Sequence, residues 1–505
     1  MKLSFYKTAL SALCISFSLT ANAQMNLENR IEFELKNGFS NEKIYKSPNK
    51  FFVIEAYADK KEQNKREIKY DLYDGDLKAI KSSSIFIPTK GMYEAVYFND
   101  DTCVYKLYRN VKSEFMLTKV RIDDLKTSVQ EGKLPKGIYL KDMKVVGTKA
   151  WFESTIKKKT CLLQIDLLTG KTQISDFVEN QWSKKSNIVN YQLDKNSGEL
   201  LMFVNKYIKK GSCELSQVRV NETCELCDHV QLTGTGDKII TSVSGCKITD
   251  STMVYTGTYS GKYRYISEGM FFAQATNKKL NYINYINFLD MENFLSYMPE
   301  KKQDKIQKKK NKAENAGKEY SITYNIATHD IISVNGGYIL IGEAYYPTYT
   351  SVAHTTTSVV NGIATTQTYY TTVFNGYEYT HAFIARFSDK GELQWDQCFE
   401  MNPYGKPMYV KRFIKISEQT KNDIALIFAS GNYVFSKIFD YDGKIISDKK
   451  IELITTGKDT EKTNWTTSNA DYWFDNNFLV YGSQRVKDTE DKSRRKVFFV
   501  NKISF

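Results

Sequence analysis

Five apolar residues, Leu72, Ile122, Ile165, Phe387 and Phe439, each close a strand-like run that breaks at once into a tight turn. The runs read Tyr70-Asp71-Leu72-Tyr73-Asp74-Gly75, Val120-Arg121-Ile122-Asp123-Asp124-Leu125, Gln164-Ile165-Asp166-Leu167-Leu168-Thr169-Gly170, Phe387 to Gly391, and Phe439-Asp440-Tyr441-Asp442-Gly443. Their separations are 50, 43, 222 and 52 residues. A repeat of roughly 40–50 residues holds four short antiparallel strands, and such units bury their faces against one another.

The gap of 222 must hold several more units. Glu199 to Val204 with Gln217 to Val220 is one weaker copy, and Thr252 to Tyr255 with Met270 to Ala275 is another. Counting these gives eight units, or seven if the central copies merge. The last, Asn477 to Tyr481 with Lys496 to Val500, runs out of chain one strand short. Arg30-Ile31-Glu32-Phe33-Glu34-Leu35 alternates strictly and can supply that strand, which would close a ring and leave no sheet edge unprotected.

The fullest copy runs from Gly336 to Glu400. Gly336-Gly337-Tyr338-Ile339-Leu340-Ile341-Gly342 reads as a turn and a buried strand, His381 to Phe387 as its partner, Ser388 to Gly391 as a tight turn, and Glu392 to Asp396 as the next strand. This wording, GGYILIG followed by AFIARFSDKGELQWD, resembles a repeat of secreted bacterial β-propellers. The resemblance implies an all-β fold, a β-propeller of about eight (alternatively seven) four-stranded blades, with residues 24–505 forming a single domain.

Two insertions interrupt the pattern. The first, 290–319, is helical in character: Asp290 is placed to cap a short helix carrying Met291, Phe294, Leu295 and Met298, and Pro299 to open a second, Lys-rich helix that should stand in solvent. The second, 343–380, is rich in Thr and Tyr around Asn361-Gly362, a strong hairpin signal. It reads as a long β-hairpin that either protrudes or folds back on the ring. Tyr345, Tyr346, Tyr349, Tyr369, Tyr370, Tyr377 and Tyr379 lie on or beside it, and rings with hydroxyls suit a carbohydrate or protein surface. With His381, which opens the returning strand, they are the candidate binding residues.

Residues 1–23 read as a signal peptide, with Lys2 and Lys7, an apolar stretch from Leu10 to Leu19 and an Ala21-Asn22-Ala23 cleavage site. No other window approaches the roughly 20 apolar residues of a transmembrane helix. The chain is therefore expected to be exported to the periplasm or cell surface. The formal charge of +13 suits either anionic partners or a Lys-rich solvated surface, and no nucleic-acid partner is expected. The closing Phe499-Val500-Asn501-Lys502-Ile503-Ser504-Phe505 is similar to the last strand of outer-membrane barrels, but Asn501 interrupts its apolar face.

Little in the chain reads as chemistry. Beyond the leader stand Cys103, Cys161, Cys213, Cys224, Cys227, Cys246 and Cys398, an odd set better suited to a local disulfide or buried thiols than to a zinc site with His229 nearby. His329 and His381 sit at strand ends, either meeting at the ring's mouth or serving as hydrogen-bonded structural groups. HExxH, GxSxG and P-loop patterns are absent, so no catalytic residue, metal or cofactor is assigned. The resulting expectation is a non-catalytic binding scaffold of the cell envelope with a protein or glycan partner. The alternative is a glycan-active enzyme with its site at the propeller mouth.

Overall fold

A four-stranded sheet with two apolar faces has to bury both, and repeated sheets satisfy one another only if the series closes. The computed structural model shows that closure. It describes residues 25–504 except 36–38, 59–63, 90, 158, 176–185, 195–198, 210–211, 222–225, 233–237, 264, 335, 362, 418–422 and 454–459. The leader-like segment 1–23 and Cys224 thus lie outside the described residues.

Eight antiparallel sheets succeed one another: blade 1 (39–88), blade 2 (93–133), blade 3 (138–174), blade 4 (186–231), blade 5 (239–287), blade 6 (325–400), blade 7 (415–452) and blade 8 (461–504). Blade 6 counts five strands because Asn325–Thr328 and Ile332–Val334 both pair with Gly337–Val360. The apolar residues that set the sequence period all end up at the close of third strands.

The blade number follows from the core. Eight hydrophobic clusters lie between consecutive blades. The cluster that closes the circle sets Trp473, Leu479 and Phe498 of blade 8 against Phe52, Ile54 and Tyr73 of blade 1. The ring has eight blades and not seven.

Asn26–Glu34 completes blade 8 by pairing antiparallel with Arg494–Ser504, as its alternation predicts. Asn501 earns its place in this seam. Arg30 Nη1 donates to Asn501 Oδ1 at 3.2 Å, and Arg30 Nη2 to Gln484 Oε1 at 2.6 Å, so a polar row ties the first strand across the last two. With the strands gathered into separate blades, the barrel-like reading of the C-terminus falls.

The helical insertion differs from expectation at its start. Asp290 caps no helix; it closes a 3-10 turn, Phe288–Asp290, whose cap is Asn287 accepting from Leu289 N. Residues 291–298 form turns. Asp396, from the fourth strand of blade 6, does the capping, its carboxylate accepting from Glu292 N at 2.8 Å and Asn293 N at 2.7 Å. Met291 and Phe294 are buried as the apolar spacing implies. Pro299 precedes the helix Glu300–Glu314, which buries no residue and is held by Lys310 Nζ donating to Asp290 Oδ1 at 2.8 Å. Among the described residues, no helix is long and apolar enough to cross a membrane.

Candidate binding face

Strand direction alternates within each blade, so connections between second and third strands emerge on the same face as those linking one blade to the next. The Thr/Tyr hairpin is the second-to-third connection of blade 6, and segments 288–324 and 401–414 lead into and out of that blade. All three decorations therefore crowd one face. The tight turns that join third to fourth strands, such as Asp440 to Gly443, lie on the other.

The hairpin protrudes. Gly337–Val360 and Ile363–Ser388 stay paired out to Val360 and Ile363, with register shifts at Ala344/Tyr345 and Pro347/Tyr349 near the base and Asn361 at φ +52° in the turn. The flanking first and fourth strands stop early: Asn325–Thr328 reaches only to Tyr345, and Leu393–Glu400 begins to pair at His381. Beyond those residues the hairpin is a two-stranded ribbon, exposed on both faces from Ser351 to Ser358 and from Ala364 to Val373. Cross-strand contacts hold it, Thr355 with Thr368 and Thr357 with Thr366 at 3.2 Å each, and His354 Nε2 with Thr371 Oγ1 at 2.7 Å.

The candidate residues divide by height on this ribbon. Tyr346, Tyr349, Tyr369 and Tyr370 are exposed, Tyr370 by 70%. Tyr345 and Tyr377 are half-buried at its foot with ring centroids 5.2 Å apart, edge to face. Burial, with Tyr377 alongside, pushes the Tyr345 phenol up to about 12, so it stays a neutral hydroxyl. Tyr379 and His381 have no surface to offer, and for them the expectation is corrected. Tyr379 is buried, its hydroxyl donating to Lys411 O at 2.6 Å and accepting from Lys411 N at 2.9 Å, which pins the 401–414 segment. His381 is fully buried, stacked on Tyr297 at 3.8 Å, because at this height the ribbon has become the middle of the blade.

His329 and His381 do not meet at a mouth. His329 Nε2 lies 2.7 Å from Glu343 Oε1, and Glu343 also accepts from Ile414 N and Phe413 N at 2.9 Å each. Glu343 pairs with Ala382 and His381 with Ala344, so the two groups sit on opposite faces of blade 6. Cys103, Cys161 and Cys398 are buried thiols in blades 2, 3 and 6, and Cys213 Sγ is 3.8 Å from Asn205 Oδ1.

A cleft of about 550 Å³ opens at the ribbon's foot, between blades 5 and 6. Tyr345, Tyr349, Phe374 and Tyr377 wall it on one side, and Thr241, Thr258 and Ser267 on the other. The three hydroxyls form a ring: Thr241 to Thr258 at 2.8 Å, Thr241 to Ser267 at 2.8 Å, Ser267 to Thr258 at 3.0 Å. Sequence reasoning missed this half because it comes from blade 5, roughly a hundred residues away, and carries no local motif. A second hollow of about 530 Å³, lined by Tyr404, Tyr433 and Trp465, lies between blades 7 and 8.

No protein-family model and no curated protein sequence matches the chain. Among solved structures it is similar to the polysaccharide lyase Uly1, at 9% identity and TM-score 0.37, covering 95% of this chain and 99% of that one. It is also similar to the β-propeller domain of the Trilobed protease from Pyrococcus furiosus, at 8% identity and TM-score 0.35, covering 84% and 97%. Prolyl oligopeptidase B from Galerina marginata matches at 8% identity and TM-score 0.38 over 90% of this chain, which spans 56% of that protein. The propeller assignment stands on the eight sheets themselves.

Proposed function

We propose that this chain is an exported, non-catalytic scaffold of the bacterial cell envelope that binds a protein partner through its ribbon. One observation carries the reading. From Tyr349 to Tyr377 the chain holds no Asp, Glu, Lys or Arg, although 26% of its residues are charged. Soluble proteins guard free strand edges with charge, Pro or bulges, because an open edge is a template for another strand. This ribbon leaves its outer edges open over Thr350–Ser358 and Ala364–Val373 and adds exposed aromatic rings, features suited to strand addition by a partner. The leader-like residues 1–23 support export. Against the enzymatic alternative, the His329–Glu343 pair is buried and its carboxylate oxygens are already engaged.

The test is to delete 350–373, join Tyr349 to Phe374 through an Asn-Gly turn, and compare proteins retained from an envelope extract with those held by the intact chain. A partner that is lost with the ribbon and also lost when Thr357 and Thr366 become Lys supports the reading. Identical retention by all three proteins overturns it.

A further inference from the structure

We infer that the cleft between blades 5 and 6 is a binding site for a short neutral oligosaccharide. The inference rests on reading this face as a binding surface but not on the ribbon's partner, since the cleft lies below the part of the ribbon that partner would use.

Three features of the lining choose the ligand. First, among the described residues none that lines the cleft carries a charge, while the chain as a whole is +13. Phosphates, uronates and sulfated sugars would leave their charge without a counter-ion there, and desolvating an unpaired charge is costly. Second, Tyr345, Tyr349, Phe374 and Tyr377 form one aromatic wall, with Tyr349 and Phe374 centroids 5.9 Å apart and Phe374 and Tyr377 5.0 Å apart. Such a wall offers ring faces and edges to the C–H face of a sugar. Third, the opposite wall is built of hydroxyls. Thr258 is saturated by a further contact with Ser242 Oγ at 2.7 Å, whereas Thr241 and Ser267, each donating once and accepting once within the ring, keep a spare lone pair for a ligand O–H. Thr258 and Ser267 are buried, so this polar wall is fixed before any ligand arrives. A lipid chain would leave the hydroxyl wall unused, and a charged ligand would find no partner. A neutral sugar, apolar on its ring faces and hydroxylated around its rim, uses both walls. The volume of about 550 Å³ falls in the range of roughly 300–1,000 Å³ typical of small-ligand sites and suits several sugar rings more than one.

The experiment is titration calorimetry of the full chain with cello-, xylo- and mannohexaose, and with a galacturonate hexamer as the anionic counterpart. At least one neutral hexamer is expected to bind, with affinity falling at least tenfold in Tyr349→Ala, where the ring is exposed and its loss spares the fold, and in Thr241→Val. The protein lacking 350–373 retains Tyr349 and Phe374 and is expected to keep sugar binding, which separates this site from the ribbon's partner. No binding of any neutral hexamer, preference for the galacturonate, or binding that ignores both substitutions overturns the inference.

Discussion

Trp395 of blade 6 donates its indole N–H to the backbone carbonyl of Tyr441 in blade 7 at 2.8 Å. The contact seats the Asp440–Gly443 turn of blade 7 on the Trp of the blade before it. Gly443 closes that turn at φ +83°, and a Cβ there would come within 2.7 Å of the Trp395 ring.

Gly443→Ala should therefore lower stability by about 1–3 kcal/mol from the left-handed backbone strain, with the crowding of Trp395 adding to it. Chemical denaturation of the variant beside the parent measures the loss. An unchanged midpoint would mean the turn is free to move off the indole.

Lys106 and Glu55 form a buried pair between blades 1 and 2, with Tyr57 OH at 2.7 Å and Glu94 Oε2 at 3.3 Å from the ammonium. Burial lowers the Lys106 pKa while the two carboxylates oppose the shift. Lys106→Ala strands buried carboxylate and should cost about 3–5 kcal/mol. The double change Lys106→Met with Glu55→Leu should recover a large part of that loss, and thermal melts of the three proteins compare them directly. A double variant no better than Lys106→Ala would show that the pair itself, and not the orphaned charge, matters.

Burial holds the His381 imidazole near pKa 3, far under its ordinary 6.5. The unfolded chain gains a proton as pH falls through 6.5, and the folded chain does not until about 3. Stability from this site is thus whole above pH 6.5 and lost between there and about 3, by about 1.4 kcal/mol per pH unit over most of that range. Urea midpoints at pH 7 and pH 4.5 should draw apart more in the parent than in His381→Phe. Equal differences in the two proteins would refute a neutral buried histidine.

Asp396 carries the turn at 291–298 on two backbone N–H bonds. Asp396→Ala orphans both donors and should cost about 1–3 kcal/mol, whereas Asp396→Asn, which keeps an acceptor, should cost less. Hydrogen exchange of the Glu292 and Asn293 amides gives the local readout. Equal protection in all three proteins would shift the anchoring to Phe288 and Phe294.

The period, the strand order and the closing strand were legible along the chain because each is a local pattern: alternation in Arg30–Leu35, a turn at Asn361-Gly362, an apolar residue before each tight turn. Such patterns fix which residues pair with their sequence neighbours. Tertiary structure decided whatever depends on residues from different blades meeting. It settled on eight blades through eight interfacial cores, made Asp396 and not Asp290 the cap, and buried His381 and Tyr379 while leaving Tyr369 and Tyr370 in solvent. It also brought Thr241, Thr258 and Ser267 opposite Tyr345 and Tyr377. The physical reason is that burial and hydrogen-bond satisfaction are properties of packed surfaces, and a residue's packing partners in a ring come from the blade beside it, which its own stretch of sequence does not encode.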